Sequence, residues 1–310
     1  MTVDLRVMGK TTVAEGVVTL SLAHPQGKRL PDWTPGSHVD LVLPGGLVRQ
    51  YSLCGDRWDA YTYRVGVLRE PASRGGSAYV HDCLAVGDMV SIGGPRNNFP
   101  LVPAQRYLFV AGGIGITPLL PMVRAAELLG ADWQLLYGGR ASTSMAFLDE
   151  LAEYGDRVVV RRQERHGHLD WWLRRPDPGA KVYCCGPAPL LAAIEQRCAG
   201  WPAGLLRAER FVPRDQGAPV RSEPFEVELA RSGMSVTVGP DQSVLAALAR
   251  VGVSVLSSCR QGICGICETP VLAGQPDHRD SILDDAERAS AESMFICVSR
   301  SRTDRLVLDL

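Results

Sequence analysis

Four cysteines in the last part of the 310-residue chain restrict its fold more than any other sequence feature. They are Cys259, Cys264, Cys267 and Cys297. The spacing C-x4-C-x2-C…C is typical of plant-type 2Fe–2S centres, in which four thiolates surround two irons. Gly262 and Gly265 allow the loop to bend with positive φ and to turn backbone N–H groups toward the sulfur atoms. The spacing therefore predicts a 2Fe–2S cluster bound by these four cysteines.

Two other interpretations of the cysteines remain open. Zinc ribbons use two C-x2-C pairs, whereas this loop has one such pair and a third cysteine at a different spacing. Four buried free thiols are the second alternative. The agreement between the spacing and the two glycines favours the cluster.

The composition of the whole chain argues against several other classes of protein. The chain has nine cysteines, and its N-terminus lacks a charged-then-apolar signal pattern, so a disulfide framework is not expected. A net charge of −1 provides no global field for nucleic acid or an anionic membrane. Apolar runs such as Tyr107–Ala111 are much shorter than a membrane span. We expect a cytoplasmic monomer with no nucleic-acid or membrane partner.

Residues 1–103 have the pattern of an antiparallel β-barrel or sandwich. Short apolar runs are separated by turns that contain proline and glycine. The predicted strands are Leu5–Met8, Val17–Leu22, Val39–Leu43, Tyr61–Leu68 and Met89–Ile92.

Residues 104–213 instead show strands that alternate with helices. The predicted strands are Tyr107–Ala111, Trp133–Tyr137, Val158–Arg161, Lys181–Cys184 and Leu205–Ala208. The predicted helices are Leu119–Leu129, Met145–Glu153, Leu169–Arg174 and Pro189–Cys198. This alternation predicts an α/β domain with helices on the faces of a parallel sheet. His166 and His168 lie in a polar loop and are expected to be solvated.

Residues 214–223 are polar, contain glycine and proline, and are predicted to be a linker. Residues 224–310 are predicted to form an α+β domain around the cysteine loop. Its predicted elements are a hairpin of Phe225–Leu229 and Ser235–Val238, a helix at Val244–Val251, and strands near Phe295–Ser299 and Arg305–Leu308.

A glycine-rich turn follows the first strand of the α/β region. Its candidate ligand-binding residues are Gly112, Gly113, Gly115, Thr117 and Pro118. Glycines let the backbone approach a pyrophosphate at the positive end of a helix, and Pro118 suits the first helical position. The pattern is not the G-x-G-x-x-G fingerprint, and taken alone it is equally typical of a simple tight turn.

Two further motifs end strands of the same predicted sheet. Y-G-G-R ends the second strand with Arg140, and C-C-G-P ends the fourth with Cys185, Gly186 and Pro187. Parallel sheets bind ligands at the carboxyl ends of their strands, so all three motifs are expected at one edge. Because side chains alternate along a strand, we expect Cys184 to be a small core residue and Cys185 to face a nicotinamide.

A flavin site is predicted in the first domain. Arg49 and Tyr51 share one face of a predicted strand, where a cation beside an aromatic plane suits a phosphorylated planar cofactor. Residues 73–77, followed by a predicted helix at Ala78–Leu84, offer glycine N–H groups, a hydroxyl and Arg74, which suit a phosphate. An ordinary strand and a capped helix are the alternative.

The motifs R-x-Y-S, R-G-G-S, G-G-I-G-I-T-P, Y-G-G-R, C-C-G-P and the cysteine loop follow one another along the chain. This order resembles the phthalate dioxygenase reductase family, within the ferredoxin–NADP reductase superfamily, over essentially the whole chain. The resemblance implies an FMN-binding antiparallel barrel, a nicotinamide-binding α/β domain and a C-terminal β-grasp ferredoxin domain. FMN is implied by the family alone, and the sequence does not exclude FAD.

The resemblance assigns cofactor contacts to individual positions. The flavin positions are Arg49, Tyr51, Ser52, Gly75, Gly76 and Ser77. The nucleotide positions are Gly112, Gly113, Gly115, Thr117 and Pro118. Glu209 and Phe211 resemble the superfamily's acidic and aromatic residues near the flavin ring, although Phe211 is equally suited to an interdomain core. We assign no acid–base pair, because hydride transfer to flavin needs none.

The resemblance also implies an activity. The expected enzyme passes electrons from NADH through FMN and the 2Fe–2S cluster to a partner, foremost a Rieske-type oxygenase or demethylase. The alternatives are a reductase that serves or is excised from a haem-thiolate monooxygenase, and an iron–sulfur redox sensor without turnover. Residues 140–144 include no acid, and the next is Asp149, so measurable use of NADPH is expected beside NADH.

Overall fold

The computed structural model describes residues 2–73, 75–162, 177 and 179–310. These residues form two compact units, of which the first ends at Glu209 and the second is Arg210–Leu310. Four features of the sequence analysis lie outside the described residues: Arg74, His166, His168 and the predicted helix Leu169–Arg174. Among the described helices, none is long and apolar enough to cross a membrane.

The N-terminal part of the first unit is a six-stranded antiparallel sheet. Its strands are β1 Thr2–Ala14, β2 Val17–Ala23, β3 His38–Leu43, β4 Leu47–Ser52, β5 Thr62–Leu68 and β6 Met89–Arg96. They are hydrogen-bonded in the order β4-β3-β6-β1-β2-β5. Alternate side chains such as Leu20 and Leu22 are fully buried in the core of this sheet. The antiparallel architecture predicted for this region is confirmed, and its helix begins slightly earlier than predicted, as α1 Gly76–Asp82.

The C-terminal part of the first unit is a five-stranded parallel sheet. Its strands are β7 Arg106–Gly112, β8 Asp132–Gly139, β9 Val158–Arg162, β10 Ala180–Cys185 and β11 Leu206–Glu209. The described helices around it are α2 Ile116–Leu128, α3 Leu148–Ala152 and α4 Ala188–Cys198. The strand order is β11-β10-β7-β8-β9, so β7 has a neighbour on each side that follows it in the chain. Ligand crevices of parallel sheets form at such a switch point, beyond the carboxyl ends of the strands.

The two sheets of the first unit share one hydrophobic core. Phe109 and Tyr183 of the parallel sheet are fully buried in the same cluster as Val17 and Phe99 of the N-terminal part. Because such cores are close-packed, this cluster fixes the ends of the parallel strands relative to the antiparallel sheet.

The second unit is a mixed sheet with the cysteine loop attached. Its strands are β12 Phe225–Leu229, β13 Met234–Val238, β14 Glu268–Ala273, β16 Ser293–Phe295 and β18 Arg305–Leu308, in the order β13-β12-β18-β14-β16. A separate pair is formed by β15 Pro276–Asp277 and β17 Arg300–Ser301, and the helices are α5 Val244–Arg250 and α6 Asp285–Ser290. The Ser243 hydroxyl accepts the Ala246 N–H at 3.1 Å and so caps α5. The predicted hairpin and the predicted final strand are both present.

The predicted strand at Phe295–Ser299 is only partly correct. Strand β16 ends at Phe295, and the N–H groups of Val298 and Ser299 both donate to the Phe295 carbonyl, at 3.1 and 3.0 Å. These bonds close a turn that replaces the ladder bonds of a strand. Cys297 therefore lies on this turn.

The predicted linker, residues 214–223, has no regular helix or strand, but it is held against the second unit. The Arg214 N–H donates to the Ser281 hydroxyl at 2.9 Å, and the Val220 N–H donates to the Asp277 carboxylate at 3.1 Å. The segment is thus fixed by side chains that lie far from it in sequence.

Candidate functional site

The backbone of the cysteine loop contains three residues with positive φ. These are Arg260, Gly262 and Gly265, with φ of 53°, 68° and 79°. A Cβ atom on Gly262 would lie 2.9 Å from the Cα of Asp280, which real contacts essentially never allow. Glycine is therefore required at this position for two reasons, its backbone conformation and the absence of space.

The four cysteine thiols form two hydrogen-bonded pairs. Cys259 is paired with Cys264, and Cys267 is paired with Cys297. The hydrogen bond lowers the pKa of Cys259 to about 5 and lowers the pKa of Cys267, while it raises the pKa of each partner thiol. Two adjacent pairs suit a two-iron cluster with four cysteine ligands.

Backbone N–H groups are directed at these sulfur atoms. The Gln261 N–H donates to Cys259 Sγ at 3.3 Å, and the Cys259 N–H donates to Cys264 Sγ at 3.5 Å. The Gly262 N–H is hydrogen-bonded to Cys297. Such donors stabilise thiolate charge, and the donor set fits a 2Fe–2S cluster. Within the described ranges, no three His, Cys, Asp or Glu side chains converge to hold one metal ion.

The predicted flavin residues lie on β4 and α1, which the fold brings together. A Cβ atom on Gly76 would lie 2.5 Å from Cγ and 2.8 Å from Nε of Arg49, so the arginine lies directly over this glycine. Tyr51 is on the same strand, and burial raises the pKa of its phenol to about 12. Ser52, the last residue of the strand, is buried. Gly76 therefore leaves space for the side chain of Arg49, which shares its strand with Tyr51.

The loop before α1 is closed by its own hydroxyl groups. Ser77 accepts the Glu70 N–H at 3.1 Å and donates to the Ser73 hydroxyl at 3.0 Å. Gly75 has a φ of 91°, where a side chain would be strained. Ser77 thus determines the shape of the loop at the predicted phosphate site.

The glycine-rich nucleotide turn differs from prediction in one detail. A 3-10 turn, Gly113–Gly115, leads directly into α2, which begins at Ile116. Pro118 is therefore the third helical residue and not the first. Proline is tolerated there because the first N–H groups of a helix have no acceptor four residues earlier. The Thr117 hydroxyl donates to the Ile114 carbonyl at 2.9 Å and tightens this turn.

The nucleotide turn and the C-C-G-P motif are in direct contact. A Cβ atom on Gly115 would lie 2.3 Å from the Cys185 carbonyl oxygen. One on Gly112 would lie 2.7 Å from Pro187 and 3.4 Å from Gly186. The glycines therefore allow the ends of β7 and β10 to approach closely at the switch point of the sheet.

Cys184 and Cys185 are both fully buried, on opposite faces of the sheet. Cys184 packs with Val110, whereas Cys185 belongs to the core shared with the antiparallel sheet. Cys185 Sγ lies 4.0 Å from Glu209, and burial together with this carboxylate raises the pKa of the thiol. Glu209 as a whole residue is half-buried, but burial of its carboxyl group raises its pKa to about 8. Phe211 lies in the second unit and is partly exposed, and its position near a flavin stays a prediction.

Two arginines that sequence reasoning missed lie beside the predicted nucleotide residue Arg140. In the parallel ladder, Arg161 is opposite Gly138 and Arg162 is opposite Gly139. The end of β9 thus adds two cations to the edge where β8 ends. The signal was present, since Arg161 ends a predicted strand and Arg162 follows it, but the neighbouring strand is known only from the fold.

A second missed feature is a charged cluster that joins the two sheets of the first unit. Both Oε atoms of Glu150 accept from Arg64 of β5 at 2.9 Å, and Glu150 also accepts from Arg124 of α2 at 2.5 Å. Arg124 donates further to the Gly55 carbonyl at 3.1 Å. No periodicity connects these residues, because each lies on a different element.

Comparison with known proteins identifies the C-terminal domain and the family of the chain. Residues 227–302 match the 2Fe-2S iron-sulfur cluster binding domain family. The chain is 44% identical to the phenoxybenzoate dioxygenase subunit beta of Ectopseudomonas oleovorans, over 99% of this chain and 97% of that protein. The structure of phthalate dioxygenase reductase matches with a TM-score of 0.70 and 35% identity, over 100% of this chain and 98% of that one. An intact type IV self-sufficient cytochrome P450 monooxygenase matches with a TM-score of 0.94 and 42% identity. This match covers 100% of the present chain but only 41% of the longer P450 chain.

An antiparallel sheet, a parallel nucleotide-type sheet and an iron–sulfur domain in this order define a modular reductase that transfers electrons from pyridine nucleotides to a 2Fe–2S centre. The chain belongs to the phthalate dioxygenase reductase family. The resemblance stated from its motifs is thereby confirmed, and the protein is an oxidoreductase.

Proposed function

We propose that the first unit takes a hydride from NADH and that a 2Fe–2S cluster in the second unit delivers single electrons to an oxygenase. The observation that carries this proposal is the cysteine loop, where backbone N–H groups donate to Cys259 and Cys264 within the segment that matches the 2Fe-2S binding family. Membership of the reductase family supports the direction of electron flow.

In the proposed flavin site, FMN supplies the exchange between a two-electron hydride donor and a one-electron carrier when it is bound. Arg49 would pair its guanidinium with the flavin phosphate, and Gly76 leaves room for this side chain. The half-buried ring of Tyr51 would offer an apolar surface to the flavin, and burial raises the pKa of its phenol to about 12. Ser52, Gly75 and Arg74 complete the assignment made from the motifs.

In the proposed nicotinamide site, the backbone at Gly112, Gly113 and Gly115 would approach the pyrophosphate. Cys185 faces the nicotinamide as a protonated thiol, because burial and Glu209 raise its pKa. Phe211 is assigned to the flavin ring by family resemblance. These groups orient the reactants and exclude water, and none of them has to move a proton.

We propose a Rieske-type oxygenase or demethylase as the electron acceptor. The relative from Ectopseudomonas oleovorans is named as a dioxygenase subunit, which supports this class of partner. The match to part of a self-sufficient P450 favours a second candidate, a haem-thiolate monooxygenase. Reduction of purified partners of both classes by the NADH-reduced protein, measured by stopped-flow absorbance, decides between them.

The proposal also includes the nucleotide donor, the cellular location and the oligomeric state. Family resemblance favours NADH as the donor. We expect measurable NADPH activity as well, because Arg140, Arg161 and Arg162 lie at the nucleotide edge and the segment from 140 to 144 has no acid. We place the protein in the cytoplasm as a monomer.

Cofactor analysis tests the assignment of both prosthetic groups. Iron and acid-labile sulfide should each be found at two per chain, with one flavin identified by mass as FMN. Stoichiometric zinc contradicts the cluster assignment, and FAD contradicts the flavin assignment. NADH-dependent reduction of a soluble acceptor, measured in the same preparation, separates an enzyme from a redox sensor, since a sensor would not turn over.

A further inference from the structure

A buried carboxylate lies directly behind the cysteine loop. Asp280 is fully buried. Its Oδ2 accepts the N–H groups of Ile282 and Leu283 at 3.0 and 2.9 Å, whereas its Oδ1 has no hydrogen-bond partner among the described residues. Burying a carboxylate oxygen without a hydrogen bond lowers the stability of the folded protein. Stability therefore does not explain why an aspartate occupies this position.

Asp280 is in contact with the loop through Gly262. The missing Cβ of Gly262 would lie 2.9 Å from Asp280 Cα and 3.3 Å from Asp280 Cβ. The next residue, Ser281, donates its N–H to the Gly262 carbonyl at 2.9 Å. On its other side, Gly262 directs its own N–H to Cys297. One glycine therefore separates the carboxylate from a cysteine of the proposed cluster.

The positive groups facing Asp280 compensate its charge only in part. Arg288 Nη2 lies 3.7 Å from Oδ2 and donates instead to the Asp280 backbone carbonyl at 2.7 Å. His278 Nδ1 lies 3.9 Å from Oδ1, and burial lowers the pKa of this imidazole, so it is mainly neutral near pH 7. Arg279, which lies between His278 and Asp280 in the sequence, donates to the Gly217 carbonyl.

Electrostatics then connects this carboxylate to the cluster. Reduction adds one negative charge to the cluster, and a nearby negative charge opposes it, more strongly in the protein interior than in water. We propose that Asp280 is a positioning residue that packs against Gly262 of the cysteine loop and, by its charge, lowers the reduction potential of the 2Fe–2S cluster. The low potential strengthens the driving force for electron delivery from the cluster to the partner. This inference rests on the assignment of the four cysteines as ligands.

The test uses the full-length protein loaded with FMN and the cluster. Asp280→Asn keeps the size of the side chain and an oxygen that accepts from Ile282 and Leu283, but it removes the charge. At a fixed applied potential we expect the reduced-to-oxidised ratio of the cluster to rise at least threefold, equal to a positive shift of about 28 mV. The measurement is a redox titration of the cluster followed by EPR, whose signal shape should be preserved because the ligands are unchanged.

A matched control is Asp277→Asn, which also removes a buried carboxylate. Asp277 lies 3.6 Å from Arg279 and 3.9 Å from Arg302, so its charge is compensated by two guanidinium groups. We expect less than half of the shift seen for Asp280→Asn. An equal or larger shift in the control overturns the assignment to Asp280.

Two further results bear on the inference. An unchanged or more negative potential in a folded Asp280→Asn protein with full iron content overturns it. If this variant fails to fold, Arg288→Gln gives the second test, and removal of the facing cation should lower the potential; no change overturns the inference. Absence of iron and sulfide from the parent protein itself would instead contradict the cysteine assignment, which the metal analysis detects separately.

Discussion

At the scale of single residues, the cysteines of this chain divide by environment. Cys184 fills an apolar cluster, and Cys83 is exposed, whereas Cys259 and Cys264 of the loop receive N–H groups. A sulfur atom that accepts backbone N–H bonds is prepared for negative charge, and one in an apolar core is not. The environment, not the residue type, thus separates ligand cysteines from structural ones.

Replacing one loop cysteine should separate the two half-reactions. In Cys264→Ser a hydroxyl replaces a thiolate. The hydroxyl is a hard group and therefore a poor ligand for iron in a sulfide cluster. We expect loss of the cluster and of electron delivery to a protein partner, while the rate of flavin reduction by NADH stays within about twofold in stopped-flow measurements.

The control for this experiment is Cys83→Ser, which should leave both half-reactions intact because Cys83 is remote from the cysteine loop in sequence and is exposed. Loss of flavin reduction in a folded Cys264→Ser protein would show that the two half-reactions are not modular.

Glu209 should make stability depend on pH. Burial raises its pKa from 4.5 to about 8. A raised folded-state pKa gives stabilisation that is fully present below pH 4.5 and is lost as pH rises to about 8. Compared with Glu209→Gln, the parent should lose stability across this window, by at most on the order of 1 kcal/mol per pH unit. Thermal midpoints of both proteins between pH 5.5 and 9 give the comparison, and parallel curves would mean that the carboxyl group is not buried in solution.

At the scale of elements, the contact between the ends of β7 and β10 depends on glycine. Gly115 has an ordinary helical φ of −62°, so Gly115→Ala acts only through the 2.3 Å clash of its Cβ with the Cys185 carbonyl. We expect a loss of about 1–3 kcal/mol in the free energy of unfolding and weaker NADH binding.

Urea unfolding and nucleotide titration measure the two effects of Gly115→Ala. Gly200→Ala is the matched control, since nothing lies within 4 Å of a Cβ atom there. Equal effects of the two substitutions would show that β7 and β10 can separate at no cost.

The loop after β8 is held in place and offers a test of nucleotide choice. The Glu15 N–H donates to the Thr143 carbonyl at 2.7 Å, and the Thr143 hydroxyl donates to the Glu15 carboxylate at 3.1 Å. Ser142→Asp adds a negative charge beside the proposed ribose site and should repel a 2′-phosphate. We expect kcat/KM for NADPH to fall roughly tenfold more than kcat/KM for NADH, a difference of about 1.4 kcal/mol.

Ser142→Asn, which adds the same bulk without the charge, should leave the NADPH-to-NADH ratio close to that of the parent. If Ser142→Asp lowers kcat/KM equally for both nucleotides, or leaves their ratio unchanged, Ser142 does not face the ribose.

At the scale of the whole molecule, Glu150 links the two sheets of the first unit. We expect its loss to destabilise the first unit only. Glu150→Ala leaves two partly buried arginines without their carboxylate, which should cost about 1–3 kcal/mol. The flavin-fluorescence transition in urea should move to lower urea concentration, while the visible absorbance of the cluster keeps its midpoint. Asp149→Ala removes an exposed acid from the same helix and serves as the control. Equal shifts of both signals would mean that the two units unfold together.

The local sequence determined much of this protein. The cysteine spacing, the hairpin at residues 225–238 and the alternation of strands and helices after residue 104 depend on neighbouring residues, and the structure confirms these elements. Periodicity also placed Cys184 and Cys185 on opposite faces, because side chains alternate along any strand. It failed for residues 296–299, where the turn depends on bonds back to Phe295 that no two-residue period reveals.

Only the tertiary structure decided which distant residues meet. Arg161 and Arg162 lie beside Gly138 and Gly139 because of the order of strands in the sheet. Glu150 binds Arg64, which lies 86 positions earlier in the sequence. Asp280 contacts Gly262 only when the second unit has folded. The physical reason is that burial, charge compensation and close approach are properties of three-dimensional neighbours. The sequence therefore determined the candidate ligands and their chemistry, whereas the fold determined the charges that surround them.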